Sequence, residues 1–153
     1  MFRSPRKPPT QLSEPASFKQ CLDYYTQRVK LSENKLASII RINQQRLNDI
    51  SNEKTKNVDT ETLVRICLAL GLNEEESSDL MARRERTLSP AKPEHRAYRE
   101  LIRLYSGKEI NYNVPAKELE DILNDADQYL NACGFTRFEF KNIGTSSKKS
   151  KTT

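Results

Sequence analysis

The chain has 153 residues, a formal net charge of +5, 35% hydrophobic residues and only four glycines. This length suits one ordinary domain with short appendages, and the abundance of Leu, Glu, Lys, Arg, Asn and Gln favours an all-helical fold. No apolar run is long enough to span a bilayer and the N-terminal region has no signal-peptide core, so we expect a cytoplasmic protein without a membrane partner.

Cysteine and histidine usage points away from metal and catalytic sites. Cys21, Cys67 and Cys133 are far apart and fall in apolar helical segments, so we interpret them as small core residues. His95 has no nucleophile or carboxylate motif beside it, and we interpret it as a surface residue. The sequence therefore predicts no enzyme, no cofactor and no metal.

Basic residues are concentrated at both ends of the chain. Residues 1–15, MFRSPRKPPTQLSEP, are rich in proline and are predicted to form a disordered basic arm. Residues 144–153, GTSSKKSKTT, are predicted to form a second disordered basic tail. Such ends are compatible with a polyanionic partner, although a charge of +5 is explained equally well by solubility.

The first three predicted helices follow in close succession. Helix one spans about residues 17–30, and helix two begins behind Ser32, which is a good N-cap. Helix three spans about residues 44–52 behind the cap Asn43. Because only two of its side chains are apolar, we expect helix three to lie across the surface and not at the centre of the core.

Two further helices complete a five-helix pattern. Helix four spans about residues 60–70, has a strong apolar stripe and is followed by Gly71, where a left-handed residue is expected. Helix five begins behind Asn73, with Glu76 in the place of a capping box, and ends in the arginine-rich segment 83–86.

The rest of the chain, residues 89–143, is predicted to be a helical extension. Helix six spans about residues 93–105 and helix seven about residues 115–133, and the alternating residues 135–140 are expected to form a short extended tail on the helices. Helix seven has a wide apolar stripe at Leu119, Ile122, Leu123, Ala126, Tyr129, Leu130 and Cys133. That stripe predicts either a dimerisation element or packing of helices six and seven over helices one and five of the same chain.

Two stretches carry a family resemblance. Residues 31–52 read LSENKLASIIRINQQRLNDISN and residues 59–72 read DTETLVRICLALGL. They resemble the helix-turn-helix domain of the Cro/phage-repressor superfamily, also called the XRE family. The matching positions are Leu36, Ala37, Ile42, Leu47, Ile50, Leu63, Ile66, Ala69, Leu70, Gly71 and Leu72. The resemblance implies an all-α, lambda-repressor-like five-helix domain, which we assign to residues 16–88.

The chain departs from the family pattern at three places. Arg41 stands in the turn where the family often has glycine, and Glu53 replaces a glycine that follows the recognition helix. Glu33 replaces a glutamine that often opens helix two and contacts phosphate.

The resemblance makes helix three a recognition helix. Such a helix must expose amide and guanidinium groups, because these can pair with base edges in the major groove. The candidates for base contacts are Asn43, Gln44, Gln45 and Asn48, and the candidates for phosphate contacts are Arg46, Lys54 and Lys56. We expect Asp49 to orient a neighbouring arginine. The alternative is that these polar side chains are simply solvated.

These observations predict a sequence-specific DNA-binding transcriptional regulator of bacterial or phage type, whose partner is double-stranded DNA. A single helix-turn-helix reads only a few base pairs, so we expect a homodimer that binds two half-sites. The alternative is a protein-interaction adaptor that keeps the helix-turn-helix fold and turns its polar helix toward a protein.

Overall fold

The computed structural model describes residues 16–55, 57–106, 116–136 and 138, without the side chains of residues 116–120 and 122. Within these residues the chain forms helices and no strand, so the predicted all-α fold is confirmed. The predicted basic arm, the predicted basic tail, Lys56 and most of the alternating segment 135–140 lie outside the described residues.

The helices begin and end close to the predicted positions. The described residues contain α1 (Phe18–Val29), α2 (Glu33–Ile40), α3 (Gln44–Ser51), α4 (Thr60–Ala69), α5 (Glu74–Ala82), α6 (Pro93–Tyr105) and α7 (Ala116–Ala132). The main difference is at the end of α5, which stops at Ala82 and leaves the arginines of the 83–86 segment to follow the helix.

Local side chains define where four of these helices begin. The hydroxyl oxygens of Ser17 and Ser32 each accept a hydrogen bond of 3.1 Å from a backbone N–H in the first turn. The amide oxygen of Asn43 does the same at 2.7 Å, and Asn73 forms a capping box with Glu76. Each cap of this kind stabilises a helix by about 1 kcal/mol, which explains why the sequence located these helix starts well.

Left-handed residues end several helices. Arg41 has a φ of 65° at the end of α2, and Glu53 has a φ of 58° after α3. These are the two places where the family has glycine, so the backbone conformation is kept although the residue is different. A left-handed non-glycine residue costs about 1–2 kcal/mol, and neighbouring contacts must offset that cost.

The helix α4 lies at the centre of the molecule. Every residue from Thr62 to Ala69 is buried, and α4 packs against α2, α5, α6 and α7. Burial extends to the charged side chain of Arg65, which donates hydrogen bonds to the backbone oxygen of Ile40 at 3.0 Å and to the carboxylate of Glu61 at 2.7 Å. Its guanidinium also lies 5.0 Å from the ring centre of Phe138. The charge is thus paired inside the core, as a buried cation requires.

The extension packs on the five-helix domain. The described part of the apolar stripe on α7 is buried at Leu123, Ala126 and Leu130, against α2, α4 and α6. The expectation that helices six and seven would close over helices one and five is confirmed only for α6 on α5, since α6 packs against α4 and α5 while α7 packs against α2 and α4. Buried residues of the extension belong to the same apolar core as those of α1–α5.

Two single-residue expectations need correction. Cys21 and Cys67 are buried as predicted, but Cys133, which directly follows the end of α7 at Ala132, is exposed. His95 is half-buried and is more than a surface residue, since its Nδ1 accepts a hydrogen bond of 3.0 Å from the backbone N–H of Ser89.

Candidate nucleic-acid interface

One side of α3 faces the core and the other faces outward. The inward side chains Leu47, Ile50 and Ser51 are buried, while Gln44 and Gln45 in the first turn are exposed. The helix packs against α1 and α2 and covers the edge of the domain, as its few apolar residues predicted. The buried side chains of Leu47 and Ile50 thus keep the polar first turn of α3 at the surface.

The outward side chains form two lines. Gln45 and Asp49 lie one helical turn apart, and Gln44 and Asn48 form a parallel pair beside them. The Nε2 group of Gln45 donates a hydrogen bond of 2.9 Å to the Oδ1 atom of Asp49. Asp49 therefore orients a glutamine, and the expectation that it would orient an arginine is wrong.

Asn43 and Asn48 occupy more crowded positions. The Oδ1 atom of Asn43 is used to cap α3, where it accepts a hydrogen bond from the backbone N–H of Arg46 at 2.7 Å. Asn48 is half-buried and borders a groove of about 280 Å³ between α1, α2 and α3. The two asparagines are therefore less accessible than the adjacent glutamines.

The candidate phosphate contacts are spread around α3. Arg46 is half-buried on the flank opposite Asn48, and Lys54 is exposed in the loop that follows α3. The backbone N–H of Lys54 donates a hydrogen bond of 2.8 Å to the backbone oxygen of Asp49, which fixes the start of that loop to the helix. Lys56 lies outside the described residues.

Two arginines that follow α5, Arg84 and Arg86, bind the loop between α3 and α4. Arg84 donates hydrogen bonds to the backbone oxygens of Ile50 at 3.4 Å and Thr55 at 2.5 Å, and Arg86 donates one to Val58 at 2.9 Å. Sequence reasoning identified these arginines only as the end of a helix. Nothing local distinguishes them from solvated residues, because their partners lie about thirty residues earlier in the chain.

Two glutamates border the interface. Glu33 is the first residue of α2, is half-buried and lines the same groove as Asn48. Glu53 directs its carboxylate to the first turn of α1, where it accepts a hydrogen bond of 3.4 Å from the backbone N–H of Lys19. Negative charge suits both helix N-termini. Glu33 nevertheless places a carboxylate where the family often has a glutamine that contacts phosphate.

The turn between α2 and α3 is tied to the extension. The Nη1 group of Arg41 donates hydrogen bonds to the carboxylate of Asp127 at 2.5 Å and to the backbone oxygen of Phe138 at 2.8 Å. Its Nη2 group donates to the amide oxygen of Asn124 at 2.6 Å. We call Arg41, Asn124, Asp127 and Phe138 the turn clamp. The only sign of the turn clamp in the sequence is Arg41, which occupies a position where the family often has glycine.

A short helix that exposes amide groups in its first turn, behind a tight left-handed turn and on top of a second helix, defines a helix-turn-helix DNA-binding domain. Residues 22–82 match the family model of the Cro/C1-type helix-turn-helix DNA-binding domain. The chain therefore carries an XRE-type helix-turn-helix domain, and the resemblance seen in the sequence is confirmed. No curated protein and no solved structure is similar enough to this chain to be matched.

In the described part of the chain, no three His, Cys, Asp or Glu side chains are grouped so that they could hold a metal ion. None of the helices described is both long enough and apolar enough to cross a membrane.

Proposed function

We propose that the protein is a sequence-specific transcriptional regulator of bacterial or phage type that binds double-stranded DNA in the cytoplasm. The observation that carries this proposal is the exposed pair Gln44 and Gln45 on the first turn of α3, within a domain of the Cro/C1 type. A glutamine amide can pair with adenine through two hydrogen bonds, and a position at the start of the recognition helix reaches deepest into the major groove.

The contacts divide into two groups under this proposal. Gln44 and Gln45 read bases with support from Asn43 and Asn48, which are partly covered by the domain itself. Phosphates are contacted by Arg46, Lys54 and Lys56. Contacts to phosphate position the domain on the duplex and contacts to bases select the sequence.

We also propose that two copies bind together. Discrimination within a genome needs more base pairs than one recognition helix covers. We assign the dimer contact to the extension, residues 89–143, but not to the stripe of α7, because its residues Leu123, Ala126 and Leu130 are already buried within one chain. The outer surface of α6 is the better candidate, since Leu104 is 49% exposed there.

A selection of bound duplexes from a random pool, followed by titration at several salt concentrations, tests the proposal. The expected result is one enriched motif, bound with an affinity that falls steeply as salt rises, because phosphate contacts release counterions. Weak retention of all duplexes, insensitive to salt, would overturn it.

The second candidate is a protein-interaction adaptor, and the observation that favours it is Glu33. An anion at the start of α2 opposes a phosphate contact and suits a basic protein surface instead. The same titration separates the two candidates, because an adaptor should bind DNA weakly and its affinity for DNA should not rise as the salt concentration is lowered.

A further inference from the structure

We propose that the basic residues that follow Phe138 contact the phosphates of the duplex beside the bases that α3 reads. This inference rests on the proposed function and deepens it, because it adds a segment of the chain to the DNA interface and names its partner, the sugar–phosphate backbone. The segment is residues 139–153, which includes the predicted basic tail.

The turn clamp fixes the point from which this segment starts. Phe138 is 2% exposed, and its ring lies 6.0 Å from the ring of Tyr98 and 5.0 Å from the guanidinium of Arg65. Its backbone N–H donates a hydrogen bond of 2.9 Å to Asp127, and its backbone oxygen accepts one of 2.8 Å from Arg41. Side chain and backbone are both held, so the chain leaves Phe138 beside the turn between α2 and α3.

This starting point is close to the part of α3 that reads bases. Arg41 stands three residues before Gln44, so their Cα atoms are at most about 11 Å apart. The major groove is about 12 Å wide, and a duplex that accepts the first turn of α3 therefore brings its phosphates to within about one groove width of the turn. Residues 139–153 thus start within reach of the duplex.

The charges described around the turn do not themselves favour a phosphate. The guanidinium of Arg41 already donates hydrogen bonds to Asp127 and Asn124, so its charge is engaged within the chain. On the same helix as these two partners, Asp121 and Asp125 are exposed. Their carboxylates repel a duplex that approaches the turn, and cations attached at this point would offset the repulsion.

The segment after Phe138 supplies such cations. It contains one acidic residue, Glu139, and four lysines, so its net charge is +3. The lysines are Lys141, Lys148, Lys149 and Lys151. Lys148 stands ten residues after Phe138, and ten residues of chain span at most about 35 Å, which covers the phosphates on both sides of the groove. Lysine binds phosphate as a point charge, so the segment adds affinity without selecting a sequence.

The other basic end of the chain starts at a different place. The backbone oxygen of Ala16 accepts a hydrogen bond of 2.6 Å from Arg83, and the backbone N–H of Lys19 donates one of 3.4 Å to Glu53, which follows α3. The N-terminal end therefore begins near the end of α3, whereas Phe138 lies near its beginning. The two basic ends are thus distinguishable by the phosphates that each one can reach.

The first test replaces three lysines of the segment in the full chain, Lys148→Gln, Lys149→Gln and Lys151→Gln. The affinity for the selected duplex should fall about tenfold or more at about 50 mM salt. The slope of the logarithm of affinity against the logarithm of salt concentration should fall by about 2–3, because each lost phosphate contact releases about one counterion fewer. The ratio of affinities for the selected and scrambled duplexes should stay the same.

A matched control removes the same charge from another exposed surface. Lys92→Gln, Arg96→Gln and Arg99→Gln lie at the start and on the outside of α6, which packs against α4, α5 and α7. These substitutions should change the salt slope by less than about 1, because counterions are released only where phosphates are contacted. An equal change in both triple variants would show a general effect of charge and would overturn the inference.

The second test locates the contacts with duplexes that carry one uncharged methylphosphonate in place of one phosphate. Some positions next to the bases read by Gln44 should weaken binding of the unmodified protein about twofold or more, and should have no effect on the C-terminal triple variant. A variant with Arg3→Gln, Arg6→Gln and Lys7→Gln should keep the sensitivity at those positions. Identical profiles for the unmodified protein and the C-terminal variant would contradict the inference.

The outcomes separate this inference from the function on which it rests. If the unmodified protein selects no duplex from the pool, the proposed function fails and the inference fails with it. If a duplex is selected but the C-terminal variant keeps the salt slope of the unmodified protein, the inference alone is overturned. Circular dichroism should show equal helix content in both proteins, since the three lysines lie outside the described helices.

Discussion

Glu33 has a single carboxylate with two opposite effects. It stabilises α2 through the helix dipole by about 0.3–1 kcal/mol, and under the proposed function it opposes a phosphate contact at the same helix end. An uncharged substitution of the same shape measures both effects, one on the free energy of unfolding and the other on the affinity for DNA.

We expect Glu33→Gln to raise the affinity for any duplex about fivefold at low salt, because one repulsion of about 1 kcal/mol is removed. The free energy of unfolding should fall slightly, and base preference should stay the same. Fluorescence anisotropy against the selected and scrambled duplexes measures the effect. Glu75→Gln, at an exposed first-turn glutamate of α5, is the matched control. An equal gain in both variants would show only a general charge effect.

His95 links the segment before α6 to the helix itself. Its Nδ1 atom accepts a hydrogen bond from the N–H of Ser89, and its ring lies 6.0 Å from the ring of Tyr98. Burial, with a further contribution from Lys92, lowers the pKa of His95 below its usual value. The neutral imidazole is therefore favoured in the folded state.

A lowered pKa in the folded state makes the stabilisation pH-dependent. The contribution of His95 should be complete above the ordinary histidine pKa of about 6.5, and it should be lost as the pH falls below that value. We expect the melting temperature of the unmodified protein to fall more between pH 7 and pH 5 than that of His95→Asn, whose side chain still accepts a hydrogen bond but does not titrate. Parallel curves for the two proteins would contradict this expectation.

At the scale of helices, the turn clamp joins α7 to the turn between α2 and α3. The side chain of Arg41 is 22% exposed and that of Asp127 is 15% exposed, so their ion pair is largely shielded from water. The backbone N–H of Phe138 also donates a hydrogen bond of 2.9 Å to Asp127. These contacts hold Arg41 in a left-handed conformation that an isolated arginine disfavours.

Two substitutions at Arg41 separate the contribution of its hydrogen bonds to stability from the cost of its left-handed backbone conformation. Arg41→Ala loses the hydrogen bonds and keeps the left-handed cost, so it should lower the free energy of unfolding by about 2–3 kcal/mol. Arg41→Gly also loses the hydrogen bonds but relieves the backbone, so its loss should be about 1 kcal/mol smaller. Urea unfolding followed by circular dichroism provides both values.

A matched control uses an ion pair at the surface. Arg103 pairs with Glu74 at the surface, where the two side chains are 50% and 40% exposed, and Arg103→Ala should leave the stability nearly unchanged. If Arg41→Ala behaved like Arg103→Ala, the clamp would contribute nothing to the fold.

At the scale of the whole molecule, the proposed dimer can be tested at the exposed Leu104 of α6. We expect Leu104→Glu to dissociate the proposed dimer at tens of micromolar protein and to abolish cooperative binding to a palindromic site, since it places a charge in an apolar contact. Light scattering and DNA titration measure these two effects. Gln128→Glu adds the same charge to an exposed position of α7 and should leave both unchanged.

The state of the unmodified protein decides whether the dimer proposal stands. A monomer at the same concentration would contradict it. Leu123→Glu is unsuitable for this purpose because Leu123 is fully buried within one chain, and the substitution would unfold the protein instead of separating two copies.

The sequence by itself determined the helices, their caps and the five-helix domain. Apolar spacing, the Ser and Asn caps and the left-handed position of Gly71 act within a few residues of the chain, so a linear reading finds them. The outward amides of α3 were found in the same way. Which bases and phosphates these residues contact stays a prediction.

Only the tertiary structure decided how distant segments meet. Arg41 binds Asp127, which lies 86 residues later, and the stripe of α7 packs against α2, α4 and α6 and not against α1 or α5. Cys133 is exposed although its spacing suited the core. Helical periodicity shows which side of a helix is apolar, but the partner of that side depends on how all the helices pack around α4 at once.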